Sequence, residues 1–293
     1  MKSTLASATA LTFLFALSGC ATSPGKRVSD LSLPHSTAVV EVTMQQPDMI
    51  VETGGYSLGE AVGTISLLGV GGLAIGQAIM VSNATAAREA IVPLQEQMSV
   101  HDLGEVFSQR ITESKVAHQL SSSGSIEVNE GSGSSDWRPG SGHTLALVGG
   151  TTFTSDLKTL IVRLVLLEFA PDEDGDVEHT GLRQVYQFSW PGPGPEGGRF
   201  REHYARGWMN LGNDKLLELI ERGMDTTIGM MEQHLETPDL TDRLRRVASP
   251  RGFGFPEPEA YRWRTENGLE WVLRKPDDYI INAIPIEGKD TNW

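Results

Sequence analysis

The chain has 293 residues, with 24 Lys and Arg against 38 Asp and Glu, for a net charge of −14. That balance repels nucleic acid and anionic lipid headgroups, so neither is expected as a partner. The single cysteine, Cys20, excludes internal disulfides and cysteine-rich metal sites, and the length is ample to bury a core without them.

Met1 to Thr4 carries one lysine, and Leu5 to Leu17 follows with no charge and many Leu, Ala and Phe. A short positive start and an apolar run too brief for a comfortable membrane span have the layout of a secretory signal. The run ends in Leu17-Ser18-Gly19-Cys20, which resembles the lipobox of bacterial lipoproteins. The resemblance implies a signal peptide over residues 1–19, diacylglyceryl transfer to the Cys20 thiol, cleavage before it by signal peptidase II, and acylation of the new amine. Two or three acyl chains hold a protein stably in a bilayer, at ~0.8 kcal/mol per buried methylene. Ala21, where an aspartate would stand for retention at the inner membrane, resembles an outer-membrane address. The expectation is a protein lipid-anchored at the outer membrane and facing the periplasm. Residues 20–35 are expected to be the lipidated cysteine and a flexible tether, since Ala21 to Asp30 is short, polar and holds Pro and Gly. Residues 36–293 are expected to form a single domain.

Ser36 to Met44 alternates and is β-branched, which predicts a strand; Asp48 to Thr53 predicts a second, short one. Residues 57–92 form a Gly-rich apolar segment expected to be helical. Within it, Ala61 to Val81 carries no charge, and Gly59/Gly63 and Gly72/Gly76 stand at the four-residue spacing that lets helices approach closely. Burial in the domain, an oligomer contact and membrane insertion are the three readings, in that order, because a helix hydrophobic all round is usually buried. Ser82 to Val92 continues with strong helix formers until Pro93, which is expected to end the helix. Asp102 with Glu105 predicts a capped helix to about Ser114, carrying Leu103, Val106, Phe107 and Ile111 at helical spacing. Lys115 to Leu120 is expected to begin a strand.

Residues 121–142 are rich in Ser and Gly and predict a mobile loop around a short strand, Ser125 to Val128. His143 to Thr152 and Leu157 to Phe169 predict strands covered on both faces. Thr180 to Trp190 alternates, with Leu182, Gln184, Tyr186, Phe188 and Trp190 on one face, and Pro171 to Glu178 is the turn of a hairpin. After the break Pro191 to Gly198, Asn213 or Asp214 is expected to cap a helix to about Leu235. Its apolar stripe is Leu216, Leu217, Ile220, Met224, Ile228, Met231 and Leu235. A Pro/Arg-rich stretch, Thr237 to Pro258, follows. Tyr261 to Thr265 and Leu269 to Arg274 flank Glu266-Asn267-Gly268, a hairpin signal, and Asp278 to Ile286 predicts a last strand. The sum is an α+β domain: an antiparallel sheet with helices packed on one side.

Catalytic motifs are sparse. Asp172, Asp174, Asp176 and Glu178 offer hard oxygens for calcium, but Gly175 falls too early for an EF-hand, and a solvated hairpin tip accounts for the same residues. His35, His101, His118, His143, His179, His203 and His234 form no close ligand pair. There is no G-x-S-x-G elbow, and the glycine runs at 69–76 and 192–198 lack the phosphate-binding patterns. Trp190, Trp208, Trp263, Trp271 and Trp293 read as packing rather than sugar platforms. No cofactor, metal or catalytic residue is expected, and the one assigned site is lipidation at Cys20. The leading expectation is a non-enzymatic envelope lipoprotein. It would contact the bilayer through acylated Cys20, and an envelope protein or a second copy of itself through the Gly-rich segment. The alternatives are a periplasmic hydrolase or wall-binding protein with a site assembled from distant His, Asp and Glu, and a binder of a small apolar ligand.

Overall fold

The computed structural model describes residues 26–44, 50–51, 88–129, 142–154, 156–193, 201–238, 245–247, 260–274 and 280–286. Cys20, the stretch 61–81 and Trp293 lie outside the described residues. The strands are β1 (Val39–Met44), β2 (Ile50–Val51), β3 (Ile126–Asn129), β4 (Thr144–Phe153), β5 (Thr159–Pro171), β6 (Val177–Pro191), β7 (Arg245–Val247), β8 (Ala260–Glu266), β9 (Leu269–Arg274) and β10 (Ile280–Pro285). The helices are α1 (residues 88–98), α2 (Leu103–Glu113), α3 (Val116–Leu120), α4 (Arg201–Leu211) and α5 (Asn213–Glu236).

All the described strands belong to one sheet in the order β3-β1-β4-β5-β6-β10-β9-β8-β7, with β2 also beside β4. This corrects the antiparallel expectation: the sheet is mixed. β4, β5 and β6 form an antiparallel meander, as do β8, β9 and β10. β1 runs parallel to both β3 and β4, and β10 runs parallel to β6. The cause is the connections. Parallel neighbours require a long crossover; α1 to α3 lie between β1 and β4 in the chain, and α4, α5 and the three strands β7 to β9 lie between β6 and β10.

Every described helix contributes to one core. α1 supplies Ile91, Leu94 and Met98, α2 supplies Leu103, Phe107 and Ile111, and α5 supplies Leu216, Ile220, Met224 and Met231, all set against Leu145, Leu164, Tyr186, Phe188 and Ile281 of the sheet. The other sheet face carries a second buried cluster made only of strand residues, Ala146, Val148, Val165, Leu167 and Val185. β4 is buried at every position, in keeping with cover on both faces.

Three helical expectations change. α1 runs through Pro93 to residue 98; the lost hydrogen bond is offset because Ile91, Leu94 and Met98 are all buried on one face. Residues 116–120 are helical rather than extended, since Val116, Ala117 and Leu120 face the core together at helical spacing. α5 begins at Asn213, and the N-cap is Gly212, whose φ of 84° suits glycine, so neither Asn213 nor Asp214 caps it. Three local signals coincide with the structure. The Asp102 carboxylate accepts from Glu105 N at 2.9 Å. Asn267 and Gly268 both take positive φ, 49° and 77°, as a two-residue hairpin turn requires. The Asp172 carboxylate accepts from the N–H of Asp174 and Asp176, so the acidic hairpin tip is braced by its own backbone.

α5 lies close against β5 and β6. At Gly223 a Cβ would stand 2.6 Å from Val162 Cγ2 and 2.8 Å from Phe188 Cδ1, so only glycine permits that approach. Trp208 of α4 is fully buried, and its indole N–H donates to Leu157 O at 2.8 Å. No described helix is long and apolar enough to cross a membrane.

Candidate functional site

The sheet ends where the amino-terminal segment returns to it. Residues 26–38 lie across that end as a strap. Val28 is buried in the core, and Leu31 and Leu33 pack against it. His35 N donates to Leu120 O at 2.8 Å, and Ser122 N donates to His35 O at 3.0 Å. The expected tether over residues 20–35 is therefore docked from Lys26 onward. Its apolar residues, every few positions along a polar stretch, are what fasten it.

The strap brings Lys26 and His35 to three strands. β5 supplies Glu168, whose side chain is 2% exposed. Lys26 Nζ donates to Glu168 Oε2 at 2.5 Å, and His143, just before β4, places Nε2 2.9 Å from Glu168 Oε1. β6 supplies Thr180, whose hydroxyl donates to Glu168 Oε2. A bulge makes that last contact. Leu167 pairs with Arg183 and Phe169 with His179, so three residues of β6 stand opposite Glu168. Gly181 takes a φ of 91° within it. His179 braces the bulge: its Nδ1 accepts from Gly181 N at 3.3 Å, and its Nε2 donates to Leu182 O at 2.9 Å.

The His35 and His143 rings stack at 3.9 Å between centroids and 7° between planes. His35 Nδ1 accepts backbone N–H groups from Ala38 at 3.1 Å and Thr37 at 3.3 Å, so this nitrogen carries no proton. Nε2 of His143 donates to the carboxylate, and its Nδ1 is buried without a hydrogen-bond partner among the described residues. Burial pushes the Glu168 carboxyl upward, but hydrogen bonds from Lys26, Thr180 and His143 and the Lys26 charge outweigh it, and its pKa falls below the ordinary value. Burial and the neighbouring His143 lower the pKa of His35; Glu168 pulls it up, and Lys26 adds to the lowering.

A carboxylate holding an imidazole is half of a nucleophile-activating triad. Here no described hydroxyl or thiol hydrogen-bonds to the free nitrogen of His143, and Lys26 and Thr180 share the carboxylate with it. Among the described residues, no group of three His, Cys, Asp or Glu is placed to hold a metal ion. The arrangement fastens the strap.

Two further polar groups are buried. Tyr186 Oη and His234 Nδ1 lie 3.0 Å apart, with Trp263 and Tyr186 edge-on to the imidazole. On the other sheet face, Arg163 Nε donates to Gln187 Oε1 at 2.7 Å, Gln187 Nε2 to Ser189 Oγ at 2.8 Å, and Ser189 Oγ to Asn282 Oδ1 at 3.0 Å.

Of the seven histidines, the structure brings two together, His35 and His143. Trp190, Trp208 and Trp271 are buried and Trp263 packs against the core, as packing residues would. The sequence reading missed Lys26, Thr180 and Glu168. The available signal was a lone acid inside Leu-Leu-Glu-Phe, and a lone Arg163 in the same apolar strand; a charge in a buried strand requires partners. Comparison with protein-family models, with curated proteins and with solved structures finds no match to this chain.

Proposed function

We propose that the protein is a lipid-anchored envelope protein, acylated at Cys20, held at the outer membrane and facing the periplasm, that acts by contact rather than by catalysis. The docked strap is the observation that carries the reading. Cys20 stands six positions before Lys26, the residue whose ammonium grips buried Glu168. At about 3.5 Å per residue the link between lipid and domain spans at most about 20 Å. An anchor on so short a lead keeps the Glu168 end of the sheet next to the bilayer, and the strap transmits that hold to three strands. The contact partner is an envelope protein or a second copy of this chain, which crosslinking in intact cells would capture.

The test is Cys20→Ser. Loss of the acyl label, with transfer from the membrane fraction to soluble or uncleaved forms, is expected. A substituted protein still processed and membrane-bound would refute the anchor. The His143–Glu168 couple favours one second reading, a periplasmic hydrolase. Turnover of a wall or lipid ester by the purified protein, abolished in His143→Ala, would support that reading over the first.

A further inference from the structure

We infer that His35, stacked on His143, is a proton-operated latch, which holds the strap of residues 26–38 on the sheet while its ring is neutral and releases it on acidification. Hydrogen bonding at His35 disfavours a second ring proton. Its Nδ1 accepts from the N–H groups of Thr37 and Ala38, the turn that leads into β1. A proton added to His35 must go to that nitrogen, where it would face two N–H donors instead of completing two hydrogen bonds.

Charge acts in the same direction. Among the described residues, the titratable and charged groups facing His35 are Lys26 from its own segment, His143 before β4 and Glu168 from β5. The end of α3 offers it only the Leu120 carbonyl and Ser122, and β6 offers Glu168 only the Thr180 hydroxyl. The one carboxylate is already matched by Lys26 at 2.5 Å. An imidazolium at His35 therefore finds no uncompensated anion among the described residues, and it lies face to face with the His143 ring at 3.9 Å. Burial and His143 already hold His35 toward its neutral form, so the released strap binds protons more readily than the docked one, and falling pH favours release.

The latch stands independently of the lipid anchor, because its readout lies inside the domain. The experiment is hydrogen–deuterium exchange on the full chain in detergent micelles, corrected for intrinsic rates, at about pH 7.5 and about pH 5; one proton limits the response to about tenfold per pH unit. The strap amides and the Ser122 amide are expected to lose about tenfold protection or more, while the amides of β4 and β5 keep theirs. His35→Asn supplies an oxygen that can accept from the same two N–H groups but cannot titrate; its strap should be equally protected at both pH values. NMR titration of the His35 ring in the unsubstituted protein provides the second measurement, and its midpoint should coincide with that of strap release. Strap protection that ignores pH, or that responds unchanged in His35→Asn, or a ring midpoint separate from strap release, would overturn the inference.

Discussion

His234 should make the folded protein sensitive to acid. Its ring is 5% exposed on α5 and takes the Tyr186 hydroxyl on Nδ1. Burial lowers its pKa from the ordinary 6.5 to about 4, with a backbone hydrogen bond at Pro238 pulling weakly the other way. Because the folded value lies below the unfolded one, the unfolded chain takes up the proton first. The stability carried by neutral His234 is complete well above pH 6.5 and is lost as pH falls toward 4. Linkage gives a loss of about 0.8 kcal/mol near pH 6, about 2 near pH 5 and about 3 near pH 4. His234→Gln keeps an acceptor for the tyrosine and removes the titration. Urea midpoints for both proteins across that range give a difference curve in which the common contributions of His35 and Glu168 cancel. The unsubstituted protein should lose stability against the variant on that schedule. A difference that stays flat from neutral pH to pH 4 would refute the argument, because the ring would then be no harder to charge inside the fold than outside it.

Two substitutions probe the packing. Gly223→Ala gains about 1 kcal/mol of helix propensity but drives a methyl into stiff Val162 and Phe188; a net loss of about 1–3 kcal/mol is expected in thermal or urea unfolding. Gln187→Leu removes the acceptor of buried Arg163 Nε and a donor to Ser189, which should cost about 2–3 kcal/mol in the same assay.

Local chemistry was legible in the sequence, and partnership was not. The Asp102 cap, the Asn267-Gly268 turn and the stripe of α5 each depend on residues a few positions apart, so spacing alone reveals them. The parallel pairings β1–β4 and β6–β10 depend on which distant strand lies alongside, and alternation reads the same for either direction. Pro93 misled because propensity ignores the burial of Ile91 and Leu94. In the site, Glu168 is a charge in an apolar strand that went unread, and its Lys26 partner is 142 positions away. His35 and His143 belong to separate segments that meet only because the strap crosses the end of the sheet. Their stacking follows from topology and leaves no trace in the spacing.

The place of β10 has a consequence for the order of assembly. β4, β5 and β6 are successive neighbours whose pairing needs only the turns between them, so this meander assembles from contacts near in sequence. β10, residues 280–285, is the bridge between β6 and the β7–β8–β9 strands, and its Ile281 and Ala283 belong to the core that α5 covers. A chain synthesised amino-terminus first holds β6 with an unpaired edge until residue 280 emerges. During that interval the edge is a template for any other extended chain. Late arrival of a short central strand therefore makes the last stage of synthesis the period of greatest exposure to mispairing.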